Sequence, residues 1–312
     1  MRVAVIGVGS LGQHHARIFS TLPEARLVAV VDRDPAQAGA IAARHGVPWL
    51  TDHRDLPQDL DAVSVAVPTS LHAAVAESCL ARGFAVLVEK PMAVTLEEAA
   101  AMARAADRAG RPLLVGHTER FNPVVRAALA RVRDPRFIET HRLGVFTARS
   151  TDVDVVLDLM IHDLDVILSL VPSKVASIDS VGVHALTEKV DIANARIRFD
   201  NGCVANVTAS RISTDRVRKL RIFEPDSYVS IDYARQEGVA YRLQKRPGAS
   251  PEIVPEPLSV ETEEPLLAEL RSFARTVRGE AAPAVTAAEG LRALATALRI
   301  VDQIAAGVRR AP

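Results

Sequence analysis

Three polar residues have the types and positions of groups that move a proton. Lys90 follows an apolar run at residues 84–88 and precedes Pro91, which favours an extended backbone at the lysine. Asp158 and His162 are four residues apart in a helical pattern, so they share one face of that helix. Histidine titrates close to neutral pH, and a lysine can stabilise negative charge developing on an oxygen. The three residues therefore indicate acid–base chemistry at a hydroxyl or carbonyl carbon.

Each of these residues also has a simpler interpretation. Lys90 can be a surface lysine paired with Glu89, and Asp158 and His162 can be solvated side chains of an amphipathic helix. A metal site would need a third ligand, and none stands at a suggestive spacing. We therefore predict no metal.

A glycine-rich turn near the N-terminus predicts a nucleotide cofactor. A G-x-G-x-x-G pattern follows the apolar run at residues 3–6, and a helix opens near its fourth residue, Ser10. Glycines let the backbone approach a pyrophosphate, and the helix offers N–H groups to the phosphate charge. The predicted cofactor-binding turn comprises Gly7, Gly9, Ser10, Leu11 and Gly12.

The second predicted strand ends in a carboxylate that bears on the choice of cofactor. Asp32 lies 20 residues after Gly12, the spacing at which a carboxylate reaches the adenosine ribose. Hydrogen bonding to the 2′-hydroxyl favours NAD, whereas the adjacent Arg33 can pair with the 2′-phosphate of NADP. We predict NAD, with NADP as the alternative. His14 and His15, on the first turns of the helix, are predicted to pack that helix rather than to do chemistry.

The elements that must position these residues fall into two halves. Up to about residue 118, short apolar runs alternate with helical patterns, which predicts an α/β fold with a doubly wound parallel sheet. Strand-like runs then follow one another, which predicts an α+β half with an open, largely antiparallel sheet. We predict a Rossmann NAD(P)-binding domain at residues 1–118 and a substrate-binding and oligomerisation domain at residues 119–312. Residues 244–265 are predicted to be a long connection.

Three further segments, with the glycine-rich turn, carry a resemblance to a known family. They are Val67-Pro68-Thr69-Ser70-Leu71-His72, Glu89-Lys90-Pro91 and the D-x-x-x-H-x-x-D pattern of residues 158–165. The chain resembles, over nearly its whole length, the glucose–fructose oxidoreductase, inositol dehydrogenase and rhizopine-catabolism (Gfo/Idh/MocA) family of NAD(P)-dependent oxidoreductases. The resemblance implies hydride transfer between a nicotinamide and a hydroxyl carbon of a sugar. It also implies a catalytic trio of Lys90, Asp158 and His162, brought together in a cleft between the two domains.

The resemblance implies further site residues. Those on the nicotinamide side of the cofactor are Pro68, Thr69, His72, Glu89 and Lys90. Residues 116–123 resemble the family's crossing segment between domains, which implies substrate contacts for Arg120 and Asn122 together with Lys90, Asp158 and His162. Residues 150–154 replace the family's usual glycine-rich approach to the catalytic helix and are expected to face the substrate.

Within the family, residues 144–170 and 194–219 most resemble bacterial dehydrogenases that oxidise the 3-hydroxyl of UDP-N-acetylglucosamine. That resemblance implies a nucleotide-sugar substrate, with Arg149, Arg211 and Lys219 as cations available to a diphosphate. A free cyclitol or aldose is the alternative substrate. A non-catalytic NAD(P)-binding regulator of the same fold is the alternative function, since fold alone does not establish function.

Composition limits the partners. The 38 Lys and Arg residues balance the 38 Asp and Glu residues, so no basic excess points to nucleic acid. The two cysteines form no C-x-x-C pair and suit a reducing compartment, and no stretch approaches the roughly 20 apolar residues of a membrane span. We expect a cytoplasmic protein without membrane or nucleic-acid partners. The family resemblance implies a homodimer or homotetramer.

Overall fold

The computed structural model describes residues 1–147, 153–245 and 250–308. The chain forms two compact units. The first comprises Met1–Thr118 and Glu264–Leu291, and the second comprises Glu119–Glu263 and Arg292–Pro312.

The first unit contains a six-stranded sheet and four helices from its N-terminal segment. The strands are β1 (Arg2–Ile6), β2 (Arg26–Val31), β3 (Trp49–Leu50), β4 (Ala62–Val65), β5 (Ala85–Glu89) and β6 (Leu113–Gly116). The helices are α1 (Gly12–Thr21), α2 (Pro35–His45), α3 (His72–Ala81) and α4 (Leu96–Ala109). All strand pairs are parallel, in the order β3-β2-β1-β4-β5-β6. This is the doubly wound order, and its direction reverses between β1 and β4, where such sheets bind ligands. The predicted α/β fold is confirmed.

Local sequence signals fix the ends of these helices. The Asp34 side chain caps α2 by accepting hydrogen bonds from two backbone N–H groups, and Pro35 occupies the first helical position. Thr95 and Glu98 form a reciprocal capping box at the start of α4. Gly46 and Gly110 end the two helices in the left-handed conformation.

The second unit contains an eight-stranded sheet, two helices within Glu119–Glu263 and most of the C-terminal helix described below. The strands are β7 (Phe137–Leu143), β8 (Val175–Val183), β9 (Ile192–Phe199), β10 (Val204–Ser210), β11 (Val217–Phe223), β12 (Ser227–Asp232), β13 (Glu237–Gln244) and β14 (Glu252–Pro257). The helices are α5 (Pro123–Arg131) and α6 (Ile161–Leu170). The order is β14-β13-β12-β11-β7-β10-β9-β8, and every pair except the parallel β7–β10 pair is antiparallel. The predicted largely antiparallel sheet is confirmed.

A long connection was predicted at residues 244–265, and this prediction was wrong for the middle of that range. Strand β14 lies there and pairs with β13 at the edge of the sheet, with Tyr241 opposite Pro255. Proline lacks a donor for a central ladder but is tolerated on an edge strand, so the Pro- and Glu-rich composition concealed this strand.

The last two helices divide between the units. Helix α7 (Pro265–Val277) buries Leu270 and Phe273 in the core of the first unit, together with Val3 and Ile18. Helix α8 (Ala287–Val308) contributes Ala293, Ala297, Ile300 and Ile304 to the core of the second unit. Amphipathic spacing predicts that a helix face is buried but does not identify the core it joins. The sequence prediction therefore placed α7 with residues 119–312.

Candidate active site

A cleft of about 560 Å³ lies in the first unit beside the carboxyl ends of its strands. Five of the residues predicted to bind the cofactor line it: Gly7, Gly9, Asp32, Arg33 and Pro68. The strand order reverses between β1 and β4, so the cleft at this edge occupies the position at which doubly wound sheets bind nucleotides.

The glycine-rich turn forms one wall that side chains would obstruct. Gly7 has φ +83°, and a Cβ there would lie 2.7 Å from the backbone of Ala66 and Val67. A Cβ on Gly12 would lie 1.8 Å from the Gly7 carbonyl oxygen, whereas the Cβ position of Gly9 is open. The first and third glycines thus close the turn, and the second leaves space beside it.

The start of α1 is suited to an anion. Helix α1 begins at Gly12, and its N-cap residue, Leu11, forms no side-chain capping hydrogen bond. The first N–H groups of a helix lack intrahelical partners and attract phosphate. Ser10 and Leu11 are exposed at this turn. The residues present therefore fit a dinucleotide pyrophosphate.

The predicted ribose ligand lies at the end of β2. Asp32 is half-buried; its Oδ2 accepts from the Val8 N–H at 2.9 Å, and its Oδ1 accepts from the Asp34 N–H at 3.1 Å. Each carboxylate oxygen has two acceptor sites, so the group retains capacity for hydroxyl donors. Arg33 is exposed beside it.

Sequence reasoning missed Thr51 and His53, which also line the cleft. They follow the two-residue strand β3, which pairs with β2 and therefore brings them to the same edge of the sheet. Burial lowers the pKa of His53, the Asp52 charge opposes this, and the charges of Arg54 and Arg82 lower it further. A two-residue strand leaves almost no periodicity in the sequence.

Lys90 directly follows β5 and is the middle residue of the Glu-Lys-Pro segment. The Lys90 side chain is half-buried, Glu89 is buried, and the Lys90–Pro91 peptide bond is cis. Thr69 is half-buried and opens a short 3₁₀ turn, Thr69–Leu71, between β4 and α3. Lys90 is therefore placed at the carboxyl edge of the sheet, as its position in the sequence predicted.

The His72 side chain connects the segment after β4 with the Glu-Lys-Pro segment after β5 through backbone carbonyls of both. Its ring is buried, with Nδ1 3.0 Å from the Pro91 carbonyl oxygen and Nε2 2.9 Å from the Val67 carbonyl oxygen. Burial lowers the pKa of His72, against the opposing effects of the two carbonyls and of Glu89. The contacts of this ring hold loops of the cleft, and cofactor binding by His72 stays a prediction.

The second unit carries the aspartate–histidine pair on a helix with an irregular first turn. Residues Val156–Met160 form a π-helix that continues directly into α6, where a single regular α-helix was expected. Asp158 lies in the π segment and His162 in the first turn of α6. Both are half-buried beside the buried Met160 and Ile161. Short π segments inside α-helices are frequently found at functional sites.

A buried ion cluster anchors this helix to the sheet. Arg142 on β7 donates from Nε and Nη2 to Asp163 at 2.8 and 3.0 Å, and from Nη1 to Glu119 at 2.9 Å. Burial opposes the Arg142 charge, but Asp163 and Glu119 hold the pKa of the guanidinium above its ordinary value. For Tyr233, whose ring centre is 5.0 Å from Cζ of Arg142, burial instead raises the pKa. Asp163 directly follows His162, so the cluster fixes the turn that carries the histidine.

Arg120 and Asn122 lie close to the same cluster. Arg120 pairs with Asp165 of α6 at 3.4 Å. Asn122 is buried, caps α5 by accepting from the Val124 N–H, and donates to the Tyr233 carbonyl at 3.0 Å. These contacts support α5 and α6, and substrate binding by Arg120 and Asn122 stays a prediction.

The predicted diphosphate cations differ in their surroundings. Arg211 is buried, hydrogen-bonds the Val153 carbonyl and lies 4.0 Å from Asp191, so its guanidinium holds the entry to the helix that carries Asp158 and His162 instead of being exposed. Lys219 is exposed on β11. Arg149 lies outside the described residues, as do residues 150–152 of the segment expected to face substrate.

Among the described residues, no group of three or more His, Cys, Asp or Glu side chains is placed to hold a metal ion. Within the same ranges, no helix is both long and apolar enough to cross a membrane.

The fold and the cleft define a class of protein, a nicotinamide-dependent oxidoreductase with an NAD-binding Rossmann domain. Residues 1–117 match an oxidoreductase family with an NAD-binding Rossmann fold, and residues 124–224 match the GFO/IDH/MocA C-terminal domain. The chain belongs to the GFO/IDH/MocA family of oxidoreductases.

Named dehydrogenases are among its relatives. The chain is 34% identical to UDP-N-acetylglucosamine 3-dehydrogenase of Acidithiobacillus ferrooxidans over 99% of each chain. A solved structure of that enzyme superposes with a TM-score of 0.91 over 98% of both chains. The scyllo-inositol 2-dehydrogenase (NAD⁺) of Bacillus subtilis is 28% identical over 92% of this chain and 89% of its own. The chain is therefore an NAD-dependent oxidoreductase related to sugar and cyclitol dehydrogenases.

Proposed function

We propose that the protein oxidises the 3-hydroxyl of UDP-N-acetylglucosamine and transfers the hydride to NAD. The observation that carries the proposal is the full-length similarity to the Acidithiobacillus ferrooxidans enzyme, in which 34% identity extends across both domains. The exposed Lys219 of the second unit is a cation available to the diphosphate.

Three residues carry the chemistry in this proposal. NAD, when bound, accepts the hydride that leaves the sugar carbon. His162 takes the hydroxyl proton, since imidazole is the side chain whose pKa lies nearest neutral pH. Lys90 hydrogen-bonds the same oxygen and stabilises the charge that develops as the proton leaves. Asp158 orients the imidazole or the substrate.

The cleft lined by Gly7, Asp32 and Pro68 supports an assignment of the cofactor residues. We assign the pyrophosphate to the turn Gly7–Gly12 and the adenosine ribose to Asp32, which makes NAD the preferred form. Pro68, Thr69, Glu89 and Lys90 form the nicotinamide side. His72 supports that side by holding the carbonyls of Val67 and Pro91.

A substrate panel tests the proposal. The purified protein is mixed with NAD or NADP and with UDP-N-acetylglucosamine, UDP-N-acetylgalactosamine, UDP-glucose, scyllo-inositol, myo-inositol or D-glucose, and absorbance of the reduced nicotinamide is followed. We expect the highest kcat/KM with UDP-N-acetylglucosamine and NAD. No reduction with any nucleotide sugar, at protein concentrations that bind NAD, would overturn the assigned substrate.

A cyclitol dehydrogenase is the second candidate. The 28% identity to the Bacillus subtilis scyllo-inositol enzyme over 92% of the chain favours it over other free sugars. The same panel separates the two candidates, because a cyclitol enzyme reduces NAD with an inositol and ignores the nucleotide. A non-catalytic regulator would bind NAD and reduce it with none of the panel.

We also propose a cytoplasmic homodimer or homotetramer. Cys79 and Cys203 are both free and buried, which suits a reducing compartment. On the half-buried face of the eight-stranded sheet, Phe223 contacts Phe137 and Tyr228 with ring centres 5.6 and 4.7 Å away. Such a row of aromatic side chains is suited to a subunit interface. Sedimentation at micromolar concentration tests this, and a strictly monomeric protein contradicts it.

A further inference from the structure

Helix α1 carries a buried histidine that the chemistry above does not use. The His15 Nδ1 lies 2.7 Å from the Ser64 hydroxyl of β4, and both side chains are fully buried. Its Nε2 lies 3.1 Å from Oε1 of Glu89. The two atoms are within ion-pair distance, and within the described residues neither has a hydrogen-bonding partner, so each depends on this contact.

The Glu89 carboxylate is confined on its remaining sides. Its Oε2 accepts the backbone N–H of Lys90 at 3.3 Å. Gly116, its partner in the sheet, lies so close that a Cβ there would be 2.8 Å from Oε1. Burying a carboxylate without a partner is costly, so His15 determines where this group rests.

The helix that carries His15 is the one that opens at the cofactor turn. Helix α1 begins at Gly12, which packs against Gly7, and His15 follows within the first turn. One rigid element thus extends from the glycine-rich turn to the carboxylate that receives the Lys90 N–H.

We propose that His15 is a positioning residue for Lys90: through Glu89 it fixes the Lys90 backbone relative to the turn that binds the cofactor. The functional part of this inference rests on the proposed role of Lys90. His15 itself contacts neither substrate nor cofactor in this scheme.

Three variants separate positioning from simple core packing. His15→Leu retains bulk but removes both nitrogens, whereas His15→Gln keeps an amide donor for Glu89. Ser64→Ala is the matched control, since it removes a buried polar partner of His15 and leaves the Glu89 contact in place. If His15 served only to pack the core, His15→Leu and Ser64→Ala would accelerate exchange of the Lys90 amide to the same extent.

Hydrogen exchange of the full-length protein, followed by mass spectrometry on peptides covering residues 86–92, provides a readout that needs no substrate. We expect the Lys90 amide to exchange about tenfold faster in His15→Leu, the scale of a lost hydrogen bond to a charged group. His15→Gln should restore most of the protection, and Ser64→Ala should leave this amide as it is. Unchanged exchange in folded His15→Leu, or equal acceleration in Ser64→Ala, overturns the proposal.

Gly116→Ala provides the test if His15→Leu does not fold. The methyl group meets the end of the flexible Glu89 side chain, so the carboxylate moves while the backbone stays. The Lys90 amide should again exchange faster, and unaltered exchange contradicts the proposal.

Measurements of turnover test the functional part of the proposal. With the substrate found in the panel, His15→Leu should lower kcat at least tenfold while the affinity for NADH changes less than twofold, and His15→Gln should recover part of the loss. NADH affinity is read by energy transfer from Trp49, the single tryptophan of the chain. If Lys90→Ala itself retains turnover, the proposed catalytic role of Lys90 fails, while the exchange measurement still decides whether His15 positions the Lys90 backbone.

Discussion

The carboxylate of Asp32 accepts a hydrogen bond from the backbone N–H of Val8 at 2.9 Å, which joins the end of β2 to the glycine-rich turn after β1. The residue expected to choose the cofactor is thus fixed to the turn expected to hold its pyrophosphate. Both lie on the wall of one cleft.

Replacing Asp32 should narrow the preference for NAD. Asp32→Ala removes the acceptor for the ribose 2′-hydroxyl and the charge that repels a 2′-phosphate, so the Kd ratio of NADP to NAD should fall toward one. Fluorescence titration of both reduced cofactors measures this. Arg33→Ala is the control and should weaken NADP alone. Tighter binding of NADP than of NAD by the unaltered protein contradicts the assignment.

Replacing His162 should abolish most turnover without changing the affinity for the cofactor. A positioned general base contributes about 10²–10⁴ in rate, so kcat of His162→Ala should fall on that scale. NADH affinity, measured by energy transfer from Trp49, should stay within twofold. The exposed His184 provides the matched control, His184→Ala, which should keep kcat. Near-normal turnover of His162→Ala would show that another group carries the proton.

The buried cluster beside His162 should be costly to break. Arg142→Met leaves the buried carboxylate of Asp163 and the half-buried carboxylate of Glu119 without their cation, and such a loss destabilises proteins by about 3–5 kcal/mol. The control is Arg221→Met on the neighbouring strand, where a half-exposed pair with Glu139 should contribute about 0–1 kcal/mol. Urea unfolding compares the two free energies. Similar losses in both variants would mean that the cluster does not anchor the helix.

Stability in acid should depend on Asp191. Burial would raise the pKa of this carboxyl, but N–H groups of Leu186, Thr187 and Ala185 lower it from 3.8 to about 2. A lowered native pKa gives stability that is complete above the unfolded value of 3.8 and is lost as the pH falls toward about 2. Asp191→Asn should therefore reduce the slope of unfolding free energy against pH in that window. Equal slopes in both proteins would contradict this origin of acid sensitivity.

Most of the first unit could be predicted because its signals are local. Glycine turns, helix caps and short apolar runs follow one another along the chain, and each depends on only a few neighbouring residues. The edge strand β14 was hidden because Pro255 is unusual in strands and is tolerated only at an edge. The placement of α7 in the first core depends on contacts with β1 and α1 that spacing does not encode.

The candidate site likewise has residues that the sequence could predict and features that it could not. Gly7, Asp32 and Lys90 are recognisable because each follows a strand at the edge where ligands bind. The π segment Val156–Met160 was not predicted, since a change in backbone pitch leaves the residue pattern almost unaltered. Asn122 shows the reverse limit: the family resemblance implied substrate contact, which stays a prediction, but gave no sign that the amide caps α5 and donates to the Tyr233 carbonyl.

Transfer of a labelled hydrogen tests the central claim most directly. UDP-N-acetylglucosamine carrying deuterium at C3 is incubated with the protein and NAD, and the reduced cofactor is analysed by mass spectrometry. If the protein removes a hydride from C3, the reduced nicotinamide gains one deuterium, and substrate labelled at C4 gives unlabelled NADH. Unlabelled NADH from the C3-deuterated sugar, or no NADH at all, would contradict the account.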